Sequence, residues 1–140
     1  MTRQEAVARL THGVRADVLD YQRLQALLEE QFAAALRHHA TRLTELAESI
    51  ATLVDGLEQR RRERVMLAGA LLGTDKPAMP ALFARLPDGP RAPLEAAWHQ
   101  LEQLVRDCKT LNQRNCNLMV EQHALMQRVL HGEGDTYAPA

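Results

Sequence analysis

The sequence predicts an all-α protein, an antiparallel bundle of three long helices, and two observations support that prediction. Hydrophobic residues make up 46% of the 140 residues and aromatic residues only 4%, so helix formers such as Leu, Ala, Glu, Gln and Arg dominate over strand formers. Apolar residues also recur in steps of three and four over most of the chain, which is the spacing of helices in a coiled coil. A chain of this length fits one domain, which we place at residues 1–131.

The first two long helices are predicted over residues 4–37 and 42–73. No proline interrupts either apolar stripe. A turn is expected between them, because one continuous rod would be about 100 Å long with its whole stripe exposed. Thr41 is expected to cap the second helix, and Gly73 suits the left-handed conformation that often follows a helix C-terminus.

A proline-rich crossover follows the second helix. Five of the six prolines lie between residues 77 and 93. Within this segment a short helix is predicted over residues 80–86, where proline is tolerated in the first turn. Asp88-Gly89-Pro90 has the composition of a turn.

The third long helix is predicted over residues 93–131, with Pro93 at its start and Gly132 after its end. Its apolar stripe spans five heptads, and three such amphipathic helices bury their stripes by packing against one another. Residues 132–140 are polar and are predicted to form a flexible C-terminal tail.

Composition and motifs give no indication of a catalytic or membrane protein. The formal net charge of −1 supplies no positive field for nucleic acid or an anionic membrane surface, and no apolar run is long enough to span a bilayer. The first residues lack the layout of a signal peptide, so a cytoplasmic location is expected. No phosphate loop, metal-ligand spacing or nucleophile motif is present, which predicts a non-enzyme without cofactor, metal or small-molecule substrate.

Two polar features of the long helices leave alternatives open. The densest charge run, Arg60, Arg61, Arg62 and Arg64, suits either a solvated helix face or contact with an acidic partner or RNA. RNA is disfavoured, because no aromatic residues for base stacking are interleaved with the arginines. Asn112, Asn115 and Gln122 occupy seam positions of the third helix where apolar residues are expected. They either form a network that fixes the helix register, or they mark a place where the seam loosens and turns toward another chain.

The end of the third helix carries more apolar side chains than a heptad seam requires. These residues are Leu118, Met119, Leu125, Met126, Val129 and Leu130. Methionine adapts to varied partner surfaces, and the surplus suits an amphipathic helix of another protein. Only Arg128 and His131 supply positive charge nearby, which argues against binding at a membrane surface.

Two stretches of the third helix resemble the most recognisable part of the FlgN family of flagellar export chaperones. In this chain, as in the family, a helical segment led by tryptophan runs into an Asn-x-x-Asn motif that is followed by apolar residues. The tryptophan is Trp98 here, and the two asparagines are Asn112 and Asn115. Residues 24–30 and 64–73 are similar to weaker family patterns. Many relatives carry glycine after the second asparagine, where this chain has Cys116.

The resemblance implies a cytoplasmic chaperone for the hook–filament junction proteins FlgK and FlgL. Such a chaperone covers the C-terminal amphipathic helix of its client and delivers the client to the export gate protein FlhA. The implied client-binding residues are Asn115, Leu118, Met119, Gln122, Leu125, Met126, Val129 and Leu130. Tyr137 is the implied contact with the export gate, because a tail tyrosine has that role in some relatives. The competing prediction is a structural coiled-coil protein that oligomerises through the same stripe without a role in export.

Overall fold

The computed structural model describes the backbone of residues 1–137 and the side chains of residues 1–131. It contains four helices: α1 (Arg3–Leu36), α2 (Ala40–Leu72), α3 (Met79–Ala84) and α4 (Asp88–Tyr137). No strand occurs in residues 1–137. The predicted all-α bundle, with three long helices and a short helix in the crossover, is confirmed.

Helix α1 is the central element, because it packs along both α2 and α4. Ion pairs from Arg9 to Glu63 and from Glu30 to Arg42 show that α2 runs antiparallel to α1. Hydrogen bonds between α4 and α1 keep a nearly constant sequence separation of 84 to 87 residues, so these two helices run parallel. The order is therefore up, down and up, and the crossover carries α3.

The turn between α1 and α2 is built without glycine. The backbone N–H of His39 donates to the carbonyl of Ala34 at 3.0 Å, and that of His38 donates to Ala35 at 3.1 Å, the bond pattern of a Schellman motif. His38 takes the left-handed conformation, with φ of 53°, that glycine usually occupies there. The prediction that Thr41 caps α2 is wrong, because α2 begins at Ala40, two residues before the predicted start, and His39 holds the cap position without a side-chain bond.

The C-terminus of α2 follows the prediction. Gly73 is left-handed, with φ of 70°, and its N–H donates to the carbonyl of Gly69. Gly69 is required for a different reason, since a Cβ atom there would lie 2.7 Å from the backbone oxygen of Thr74. The chain then turns sharply into α3, whose Met79, Leu82 and Phe83 are buried.

Two predictions about the start of α4 are wrong. Asp88-Gly89-Pro90 is the first turn of the helix rather than a separate turn, and Pro93 lies inside α4 rather than at its start. The physical reason is that Pro90 falls where N–H groups have no partner within the helix. Pro93 lies one turn further on and forfeits a single hydrogen bond near an end that is open to water.

At its other end α4 runs through Tyr137, past the predicted end at residue 131. The predicted flexible tail thus overlaps the helix over residues 132–137, and residues 138–140 lie outside the described part of the chain. The flexibility of residues 132–140 stays a prediction.

The hydrophobic core is concentrated at the lower end of the bundle, where α3 lies. Its fully buried side chains come from every helix and include Leu10, Val14, Leu82 and Leu94. A smaller cluster around Leu24, Leu28, Leu57 and Cys108 continues upward between the long helices. Apolar burial thus declines toward the upper end, where α1 ends and α2 begins.

Candidate functional site: the free end of α4

Helix α4 is longer than the bundle that supports it. Among the residues with described side chains, the last hydrogen bond from α4 to α1 is that of Gln122, whose Nε2 donates to the carbonyl of Ala35 at 2.9 Å, next to the end of α1 at Leu36. Beyond this bond α4 continues to Tyr137, a distance of about 20 Å at 1.5 Å per residue. We call residues 123–137 the overhang. All of its described side chains, from His123 to His131, are exposed.

One face of the overhang is apolar. Leu125, Met126, Val129 and Leu130 are 57%, 58%, 50% and 57% exposed. At about 100° per residue these four side chains share an arc of about 140°. Exposed apolar side chains this close together on one helix are typical of interaction surfaces.

Leu118 and Met119 connect this face to the bundle. Both are half-buried, and they lie on the side of α4 that leads to Leu125 and Met126. Leu118 also borders a shallow cavity of about 700 Å³ beside Phe32 and Glu121. Six of the eight predicted client-binding residues therefore form one continuous apolar strip. The other two, Asn115 and Gln122, face α1.

Asn115 is buried completely, and all its hydrogen-bonding capacity is used inside the molecule. Its Nδ2 donates to the carbonyl of Leu28 and to Oε1 of Gln31, each at 2.8 Å. Its Oδ1 accepts from Nε of Arg114 at 3.2 Å. Between the two predicted alternatives for the seam amides, the structure favours the register network at this position.

A ladder of polar contacts extends this register along the α1–α4 interface. Side chains at every seventh residue of α4 donate to carbonyls at every seventh residue of α1. The pairs are Cys108 with Tyr21, Asn115 with Leu28, and Gln122 with Ala35. Sliding α4 by one turn breaks all three contacts together, so the ladder fixes how far the overhang projects.

The thiol at the bottom of the ladder stays protonated. Burial raises the pKa of Cys108 to about 11, with the nearby carboxylate of Asp107 adding to the shift. The S–H group is therefore available as a weak donor to the carbonyl of Tyr21 at 3.5 Å. Cys116 is exposed, and the two cysteines form no disulfide.

The structure corrects the seam position assigned to Asn112. Its side chain is exposed, while the neighbouring Leu111 packs against the smaller cluster. From Cys108, a step of three residues along the seam leads to Leu111 and a step of four leads to Asn112. The sequence alone does not distinguish the two. The Asn112 side chain forms no hydrogen bond with the described residues.

The arginine run is largely neutralised within the protein. Arg60 and Arg64 donate to the carboxylate of Asp17, which is 2% exposed, at 2.5 and 2.6 Å. Arg61 pairs with Glu58 and lowers the pKa of that carboxyl to about 2. These pairs favour a structural role over the predicted alternative of an acidic partner.

Trp98 lies beside these arginine ion pairs rather than on the overhang. Its ring packs against the main core, and the guanidinium of Arg64 lies 5.3 Å from the ring centroid. A cation over an aromatic face adds a modest attraction. The position of Asp17 within the α1 stripe was the available sequence signal for this cluster, since a buried carboxylate requires a cationic partner.

Tyr137, the predicted export-gate contact, is the last residue of α4, and its side chain lies outside the described part.

In the part of the chain with described side chains, no group of three or more His, Cys, Asp or Glu residues could hold a metal ion. None of the described helices combines the length and apolar character needed to cross a membrane.

The fold and this site define a class: an all-helical bundle whose third long helix extends beyond its neighbours with an uncovered apolar face. Residues 1–131 match the family model described as FlgN protein, and the chain belongs to the FlgN family. Membership implies a general role as a flagellar export chaperone, in a family of chaperones rather than enzymes. Comparison with curated proteins and with solved structures gave no match.

Proposed function

We propose that this protein is a cytoplasmic chaperone that binds the C-terminal amphipathic helices of the hook–filament junction proteins FlgK and FlgL. Binding covers the apolar face of the client helix and prevents its early association. The chaperone then delivers the client to the export gate component FlhA. No nucleotide, metal or other cofactor is required, because binding and release alone account for this role.

The observation that supports the client site is the apolar face of the overhang. Each of its four side chains has about half of its surface left to bury, which is worth about 1 kcal/mol per side chain on contact with a partner helix. Because 1.4 kcal/mol changes an equilibrium tenfold, four such side chains account for a change of about a thousandfold in affinity. This contribution comes from the overhang alone, and the apolar face of the client helix adds its own burial on the same contact.

Asn115 and Gln122 have an indirect role in this proposal. Both side chains bond to α1, so they anchor the overhang to the bundle while the apolar strip from Leu118 to Leu130 contacts the client. Anchoring lowers the entropy cost of binding, because one end of the strip is already held at a fixed place on the bundle. Tyr137 follows the strip along the chain, and we propose it as the contact with FlhA.

The test replaces Leu125, Met126 and Val129 together by Gln, which keeps the helix propensity high. Calorimetry then measures binding of synthetic peptides with the C-terminal helical sequences of FlgK and FlgL. The matched control is Val120→Gln. Val120 is 67% exposed, and its helical position places it on the side of α4 opposite the apolar face.

We expect the triple variant to lose about a hundredfold in peptide affinity, with unchanged helical circular dichroism, and Val120→Gln to bind like the wild type. Equal losses in both variants would contradict the assignment of the site. Sedimentation of the peptide-free protein tests the alternative function: a concentration-dependent dimer that the triple variant abolishes, with no peptide binding by the wild type, would favour the oligomerising coiled coil.

A further inference from the structure

A second apolar surface lies at the lower end of the bundle, far from the overhang. It is a groove between the first half of α1 and the start of α4. One part holds about 820 Å³ and is floored by Val7, Ala8, Leu86 and Pro90. A second part of about 500 Å³ continues beside it along Val18, Leu19, Ala96 and Ala97. Arg15 and Pro93 border both parts, so together they form one continuous surface, which we call the lower groove.

The charged side chains that line the lower groove are all basic. Arg3, Arg15 and Arg85 border it, and none of its described lining residues is Asp or Glu. Arg3 donates to the backbone carbonyl of Arg85 at 3.2 Å, and Arg85 donates to the carbonyl of Leu72 at 3.4 Å. Neither they nor Arg15 pair with a carboxylate among the described residues. In a chain with a net charge of −1, three such arginines around one groove are a segregated positive patch.

Two acidic residues near the groove in the sequence pair with basic side chains outside its lining. The carboxylate of Asp20 binds Arg60 on α2, and that of Glu95 lies beside Arg91 and His99 on the surface of α4. The groove therefore offers apolar contact area and cationic donors without internal compensation, a combination that suits an acidic ligand with an apolar face.

The dimensions of the lower groove suit a helix. Its α1 side runs from Arg3 to Gln22, which is about 28 Å at 1.5 Å per residue. Ala8, Ala96 and Ala97 leave room for close approach between helices, and a helix seated there would pack against α1 and α4 as a fourth member of the bundle.

We propose that the lower groove binds an acidic amphipathic helix of a second protein, one with Leu and Ala on its apolar face and Asp or Glu on the flanks. The overhang is at the opposite end of α1, a helix of 34 residues and therefore about 50 Å long. Both surfaces can be occupied at the same time, so the chaperone can hold its client while a second partner docks. This inference goes beyond the client-binding role and does not depend on it.

The test uses two synthetic helical peptides of about 19 residues, the length that spans about 28 Å. Both carry the same Leu and Ala face, and their flanks carry Glu in one peptide and Lys in the other. Fluorescence anisotropy measures their binding to the full-length protein at low and high salt. The perturbing variant is Arg15→Glu. The matched control is Arg23→Glu, which makes the same charge change on an exposed position of α1 outside the groove.

We expect the Glu peptide to bind at least tenfold more tightly than the Lys peptide, with an affinity that falls as salt rises. Arg15→Glu should weaken it about tenfold, while Arg23→Glu and the triple overhang variant leave it unchanged. Equal affinity for the two peptides, or equal effects of Arg15→Glu and Arg23→Glu, would overturn the proposal. So would a concentration-dependent dimer that Arg15→Glu dissociates, because the groove would then seat a second copy of this chain. The client site is tested separately by the junction-protein peptide. Binding of that peptide should be lost in the triple overhang variant and not in Arg15→Glu.

Discussion

The buried amide of Asn115 allows a sharp test of the polar ladder. Asn115→Asp changes the shape very little, but it replaces the Nδ2 donor by an oxygen that faces two acceptors, the Leu28 carbonyl and Oε1 of Gln31. Two hydrogen bonds of about 1 kcal/mol each are lost, and the acceptors left without their donor add about 1 kcal/mol more. Arg114 already donates to Oδ1, so it adds little compensation. The expected loss is about 3 kcal/mol.

Urea denaturation followed by circular dichroism measures this loss. With a slope of about 1–3 kcal/mol per molar urea, the midpoint should fall by about 1–3 M. Asn112→Asp makes the same change three residues earlier on an exposed position and should stay within about 0.5 kcal/mol of the wild type. Lowering the pH should recover part of the loss in Asn115→Asp, because a protonated carboxyl regains a donor. A variant as stable as the wild type would refute the ladder as the device that fixes α4.

Three further stability changes follow from particular contacts. Asp17→Asn should lower the free energy of unfolding by about 3 kcal/mol, because it removes the charge that compensates Arg60 and Arg64, and a loss below 1 kcal/mol in urea denaturation would contradict this. His38→Gly should raise the free energy of unfolding by about 1 kcal/mol, since glycine has no Cβ atom to strain in the left-handed conformation. A lower melting temperature would count against that reasoning. Gly69→Ala should destabilise the protein by more than 1 kcal/mol, because the Cβ atom of alanine would lie 2.7 Å from a backbone oxygen. This cost outweighs the better helix propensity of alanine. A stabilised variant would show that the end of α2 adjusts freely.

Much of the fold was predictable because long helices leave a strong periodic signal. The stripes of α1 and α2, the left-handed Gly73 and the short helix after the second long helix all follow from local chemistry. The turn at His38 was harder to locate, since a histidine there holds a conformation for which glycine is the usual signal. The start of α4 was missed because Pro93 suggests a boundary, although packing of the first turns sustains the helix across it.

The candidate site also has features that the sequence predicts and features that only the structure reveals. The surplus of apolar residues in the overhang was visible in the sequence, because it exceeds what a seam requires. The partners of Asn115 were not visible, since Leu28 and Gln31 are 87 and 84 residues away and only the α1–α4 register brings them together. The exposure of Asn112 depends on that same register. The lower groove also required the structure, because its arginines come from α1 and the crossover.

The proposed client site requires that the overhang is uncovered in the free protein and covered by a client helix in the complex. Hydrogen exchange of the α4 backbone amides, read by mass spectrometry with and without the junction-protein peptide, distinguishes these two states. We expect fast exchange over residues 124–131 and slow exchange over residues 94–122 in the free monomer, with strong protection of 124–131 when the peptide binds. Slow exchange of residues 124–131 without peptide, or protection that appears only elsewhere, would contradict the proposed site.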